Sequence, residues 1–153
     1  MKARLNAYQA APDAMKAVGA LESYVQECGL EKSLIDLVKT RASQINGCAF
    51  CINMHTQEAR GRGETEQRLY LLDAWHESPL YSDRERAALA WTEAVTLIAD
   101  GHAPDAVYEE ARRFFSEEEM VKLTLAIATI NVWNRIAIGF RTVHSTKPAH
   151  PAA

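Results

Sequence analysis

Apolar residues along this chain recur at helical spacing, and no stretch alternates apolar and polar positions for long enough to read as a strand. The expected class is all-α. From Pro12-Asp13 onward, Met15, Val18, Leu21, Tyr24 and Val25 fall at i, i+3, i+6, i+9 and i+10, and Gly29 stops the segment. A second helix opens around Glu31 to Ser33, carries Leu34, Leu37, Val38, Arg41 or Ala42 and Ile45 on one side, and must end by Asn46-Gly47. A third runs from Cys48 to Arg60 and closes at Gly61 or Gly63. A fourth starts at Thr65 and carries Leu69, Leu72, Trp75 and His76 before Ser78-Pro79 ends it.

Ser82-Asp83-Arg84-Glu85 fits a capping box, with Ala88, Leu89, Trp91, Ala94, Val95 and Ile98 behind it and a stop at Asp100-Gly101. Pro104 suits the start of a short helix reaching Phe114 or Phe115. Ser116-Glu117-Glu118-Glu119 is a second capping box, opening a long helix from Met120 to Thr142. That last segment is apolar nearly all round, from Val121 and Leu123 to Ile138 and Phe140. It is therefore either central or part of a subunit interface. The prediction is about seven helices in one single-domain bundle over residues 1–153, without solenoid repeats, and with a loose tail from Ser145 to Ala153.

Composition narrows the function classes. With 153 residues, 48% of them hydrophobic, the chain suffices for one well-filled core. A formal charge of −3 without a basic stripe argues against nucleic acid as a partner and against attraction to acidic lipids. Lys122, Asn131, Asn134 and Arg135 interrupt the last helix, which reads as a buried soluble helix rather than a membrane span. The first twenty residues lack the apolar run of a secretory signal, and Cys28, Cys48 and Cys51 are too few for a disulfide scaffold. The expected location is cytoplasmic.

The chemistry concentrates in Ser43-Gln44-Ile45-Asn46-Gly47-Cys48-Ala49-Phe50-Cys51-Ile52-Asn53-Met54-His55. A C-x-x-C pair at a helix start brings two sulfurs within disulfide reach, where unpaired N–H groups and the positive dipole end favour thiolate. His55 follows Cys51 by one turn on the same face, placed to take a thiol proton or to stabilise the thiolate. Two readings compete with redox chemistry. The cysteines could be small core residues, or Cys48, Cys51 and His55 could be part of a zinc site, which would need a fourth ligand that no second motif supplies.

This stretch resembles the core motif of the carboxymuconolactone decarboxylase superfamily, in its alkylhydroperoxidase AhpD-like branch. SQINGCAFCINMHTQEAR, GETEQRLYLLDAW, YSDRERAALAWTEAVTLI and LTLAIATINVWNRIAIGFR all resemble segments of that branch, so the similarity spans about Leu34 to Arg141. The resemblance implies an all-helical fold assembled as a homotrimer or hexamer. It also implies a thiol-dependent hydroperoxidase or disulfide reductase without a bound cofactor, reset by an external dithiol donor such as a lipoyl group or a thiol protein. By resemblance Cys51 is the peroxidatic sulfur and Cys48 the resolving one, whereas the helix-terminus argument favours the first cysteine.

The branch also has an acidic residue twelve positions before the first cysteine, which works with the histidine as a proton relay. That position is Asp36, one methylene shorter than the usual glutamate. Twelve residues of continuous helix span about 18 Å, so the chain must turn back. The expectation is a helix end near Ala42 or Ser43 and a return loop from Gln44 to Gly47; otherwise Asp36 is a solvated face residue. A non-catalytic redox switch is the main alternative function, and lactone decarboxylation a lesser one, since that branch is not marked by C-x-x-C. His76, His102, His144 and His150 read as helix-end, loop or tail residues, and Trp75, Trp91 and Trp133 as packing. Arg135 reads as an ion-pair or subunit contact, and Cys28 as a bystander.

Overall fold

The computed structural model describes residues 2–145. Among them the chain forms α1 (Ala7–Ala10), α2 (Pro12–Glu27), α3 (Lys32–Asn46), α4 (Ala49–Gly61), α5 (Glu66–Leu71), a 3₁₀ turn (Leu72–Ala74), α6 (Asp83–Thr96), α7 (Asp105–Arg112) and α8 (Glu117–Phe140). No described residue is in a strand. The all-α expectation holds, with eight α-helices among the described residues instead of about seven. The added element, α1, is a single turn capped by Asn6, whose side chain accepts from the Tyr8 and Gln9 N–H groups. The expected loose tail, His150 included, lies beyond Ser145 outside the described residues.

The α3 helix is the hub, packed against α4, α6 and α8. Its buried residues cover most of its circumference, from Leu34 and Ile35 to Ala42 and Ser43. One apolar cluster joins Val25, Leu34 and Val38 to Ala88, Phe115, Leu123 and Ile127. A second gathers Leu37, Leu72, Trp75, Tyr81 and Leu89, and a third holds both motif cysteines with Ala42, Ile130 and Ala137. Both capping boxes form as read: the Ser82 and Ser116 hydroxyls accept from Glu85 and Glu119 N–H groups, and the glutamates reach back. The α8 helix has the length and apolarity to cross a membrane, but it packs against α2, α3 and α6 while Val121, Val132 and Ile138 remain outside.

Three boundaries depart from expectation. The fourth helix ends at Leu71 and passes into the 3₁₀ turn, and the turn after that is fixed by the Arg86 guanidinium, which takes the carbonyls of Trp75, His76 and Ser78 at 2.7–3.0 Å. The α6 helix stops at Thr96, not Asp100, where the next residues, Leu97 and Ile98, lie about half exposed outside the core. The predicted return loop from Gln44 to Gly47 is absent. Instead α3 stays helical through Asn46, held there by Asn46 Nδ2 bonds to Asn131 (3.0 Å) and Asn134 (2.9 Å) on α8. The whole reversal falls on Gly47, which is left-handed at φ 68°, with its own N–H and that of Cys48 returning to the Gln44 and Ser43 carbonyls.

Candidate active site

Because α3 ends in one left-handed residue, α4 starts at once and folds back along it. Cys48 becomes the N-cap of α4, and its Sγ accepts the Cys51 N–H at 3.4 Å. The two sulfurs are 2.6 Å apart, close to the ~2.05 Å of a bonded pair, and both are buried. The hydrogen bond from the Cys51 thiol lowers the Cys48 pKa to about 7, helped by the Cys51 and Phe50 N–H groups and the Asn134 amide against the opposing effect of burial. The same contact, with burial, pushes the Cys51 thiol up. Near neutrality the pair therefore shares one proton, with the negative charge resting on Cys48.

His55 lies one turn after Cys51 and is buried. Its Nδ1 is 3.0 Å from Glu58 Oε2, while its Nε2 has no hydrogen-bond partner among the described residues. The carboxylate favours the tautomer with the proton on Nδ1, which leaves the Nε2 lone pair free. Hydrogen bonding to His55 holds Glu58 below its usual range. Cys51, His55, Glu58 and Arg62 form one stripe of α4 at i, i+4, i+7 and i+11.

Asp36 is neither the partner of His55 nor a solvated residue. It is buried, and both of its oxygens accept from Arg62 Nη1, at 2.6 and 2.8 Å. Burial raises its pKa despite that guanidinium. The short Asp side chain is engaged by Arg62, so the carboxylate on the histidine ring comes from Glu58. The i, i+3 spacing of His55 and Glu58 was the available signal. Asn134 was read only as a polar interruption of the last helix; it is fully buried, donates to Ser43 Oγ at 3.0 Å, and its amide acts to lower the pKa of both thiols.

Two openings meet the cysteine pair. A cavity of about 550 Å³ is lined by Cys51, His55 and Glu58 together with Phe50, Met54 and Trp133. Trp133 is thus a cavity wall rather than simple core, and its Nε1 donates to Glu22 at 3.2 Å. Glu22 in turn pairs with Lys39, which is wholly buried on α3. The second opening, about 370 Å³, meets Cys48 instead. No three His, Cys, Asp or Glu side chains among the described residues are grouped to hold a metal ion. Of the other singled-out residues, Trp75 and Trp91 are buried, His76 stacks on Trp75 at 3.6 Å, and Arg135 is exposed, donating to Asn131.

The chain belongs to the carboxymuconolactone decarboxylase family, whose model matches residues 12–94. It is 46% identical over 138 residues to the uncharacterized protein YdfG of Bacillus subtilis, covering 90% of this chain and 94% of that one. A solved protein of unknown function from Agrobacterium tumefaciens, named as a candidate antioxidant-defence AhpD, superposes with a TM-score of 0.94 at 54% identity over 95% of this chain and 100% of its own. A solved debrominase shares the fold alone, with a TM-score of 0.77 at 21% identity over 88% of this chain and 73% of its own.

Proposed function

We propose that this member of the carboxymuconolactone decarboxylase family is a thiol-dependent hydroperoxidase working through Cys48, Cys51 and His55. The observation that carries the reading is one cavity wall holding a buried sulfur, itself 2.6 Å from a second sulfur, together with a histidine whose Nε2 is unpartnered. The AhpD naming of the Agrobacterium protein supports it. In this reading His55 Nε2 takes the Cys51 proton while Glu58 steadies the imidazolium. The Cys51 thiolate attacks the distal oxygen of the hydroperoxide and breaks the O–O bond. Cys51 becomes a sulfenic acid, and the departing alkoxide takes the proton back from His55 as an alcohol. The resting Cys48 thiolate then attacks the Cys51 sulfur and expels hydroxide, which is protonated to water, and a disulfide remains. An external dithiol resets it, with no bound cofactor.

The apolar walls of Phe50, Met54 and Trp133 suit an organic hydroperoxide. The reading includes a cytoplasmic homo-oligomer, a trimer or hexamer, whose interface uses the outward Val121 and Val132, which share one face of α8. The test is hydroperoxide consumption with dihydrolipoamide as donor. Cys48→Ser and Cys51→Ser each abolish turnover, and His55→Ala lowers it about a hundredfold. Lack of turnover with several hydroperoxides and donors, despite a reversible Cys48–Cys51 disulfide, would replace this reading with a redox switch.

A further inference from the structure

We propose that the groove at Cys48 is a separate entrance for the reductant and selects a small dithiol bearing a carboxylate. The inference rests on the thiol-redox reading above and names the chemistry of the donor it leaves open. The groove, of about 370 Å³, is walled by Phe50, Ala137 and Ile138 and flanked by Arg4 and Arg141. No acidic side chain lines it among the described residues. Arg141 follows α8 in the left-handed region at φ 54°, and no ion pair among the described residues involves it. Arg4 gives one guanidinium bond to the Gly139 carbonyl at 2.9 Å, while its backbone N–H bonds the Phe140 carbonyl, so the N-terminal segment is pinned beside the end of α8.

These two guanidiniums stand against a short apolar floor that ends at a sulfur. A ligand matching that order has its thiols at one end, a few methylenes in the middle and an anion at the other. Guanidinium is well suited to carboxylate because its donors fork to both oxygens. The cavity at Cys51 presents Glu22 and Glu58 and lacks this unpaired positive charge, so the two reactants would enter at different sulfurs.

The exchange balances without another reactant. One thiolate of the donor attacks the Cys48 sulfur of the disulfide, and Cys51 departs, taking a proton to become the thiol. The second donor thiol, deprotonated, then attacks the donor sulfur of the mixed disulfide and expels Cys48 as thiolate. The donor leaves as a cyclic disulfide, having given two electrons to the Cys48–Cys51 bond. Cys48 is the better of the two leaving groups, which favours its release in the second step.

The experiment oxidises the full-length protein with diamide and follows disulfide reduction by stopped-flow tryptophan fluorescence. Dihydrolipoate is compared with its neutral amide, dihydrolipoamide. At low ionic strength the acid reacts about five- to tenfold faster than the amide, and the ratio falls toward one in high salt. Arg141→Glu brings the ratio below one, Arg4→Gln lowers it by a smaller factor, and Arg113→Glu, on an exposed residue outside the groove, leaves it as in the wild type. A wild-type ratio of one, or a ratio unmoved by Arg141→Glu, overturns the proposal. Because diamide forms the disulfide, the outcome is independent of peroxide. A charge-selective reduction without peroxide turnover would sink the peroxidase reading alone, and turnover without charge selection would sink this inference alone.

Discussion

The two faces of the cysteine pair are only three residues apart in sequence, yet their surroundings differ in charge, volume and partners. On the Cys51 face each carboxylate has a side-chain partner: Glu22 with Lys39, Asp36 with Arg62, and Glu58 with the His55 Nδ1. On the Cys48 face two arginines stand with no carboxylate opposite them in the groove. The cause is local. A single helical turn separates the sulfurs, and the N-cap position aims Cys48 away from the stripe that carries Cys51, His55, Glu58 and Arg62. One helix start can thus offer two thiols of opposite proton affinity to two different openings.

The sharpest way to break this comparison is to ask which sulfur meets peroxide. With Cys48 replaced by serine, a stoichiometric addition of cumene hydroperoxide leaves Cys51 as a sulfenic acid that dimedone captures on nearly every chain. With Cys51 replaced by serine, the yield at Cys48 falls at least tenfold, because the His55 cavity no longer ends on a thiol. Mass spectrometry of the labelled peptide reads both values. The reverse pattern would exchange the roles of the two faces.

A smaller effect sharpens the electrostatic half of the comparison. In the reduced protein, site-resolved alkylation of Cys48 by iodoacetamide follows the thiolate, so its rate rises with pH around a midpoint of about 7. Asn134→Leu keeps the branched shape of the side chain but removes its amide. The midpoint then rises by about one unit, which corresponds to ~1.4 kcal/mol, and alkylation at pH 7 slows several-fold. Loss of the bonds to Ser43 and Asn46 also costs about 1–3 kcal/mol of stability, measured by urea unfolding. A midpoint that stays near 7 would mean that the Cys51 thiol and the helix N–H groups hold the thiolate without α8.

How legible these features were in the sequence depends on the distance over which each is decided. Capping boxes, the Gly47 stop and the Cys51–His55 turn are set within four residues, and they stand as read. The turn from Trp75 to Ser78 depends on Arg86, eight to eleven positions away, whose guanidinium takes the carbonyls there. The direct Asp36–His55 contact was lost in a similar way: the spacing from Cys48 matched, but the carboxylate is held by Arg62, twenty-six residues on. Glu58 was within sight, at i+3 from His55, and was passed over for the family position. Asn134 offered no local signal at all, since an asparagine in an apolar helix acquires its role only when that helix crosses the α3–α4 junction.

The smallest expected effect separates the turn from the chemistry it positions. Gly47 has φ 68°, and a Cβ added there would meet no heavy atom within 4 Å, so the cost of Gly47→Ala is backbone strain alone. That strain is about 1 kcal/mol, which lowers Tm by about 2–4 °C in a chain of this size. Gly47→Asn costs less, because a short polar side chain tolerates the left-handed region. In both variants the Cys48 alkylation midpoint stays at about 7, because the thiolate depends on the Cys51 thiol, the helix N–H groups and Asn134, none of which contacts residue 47 through a side chain. A midpoint that moved together with Tm would show that the left-handed turn itself aims Cys48 at those donors, and the contrast between the two faces would then originate in the last residue before α4's N-cap.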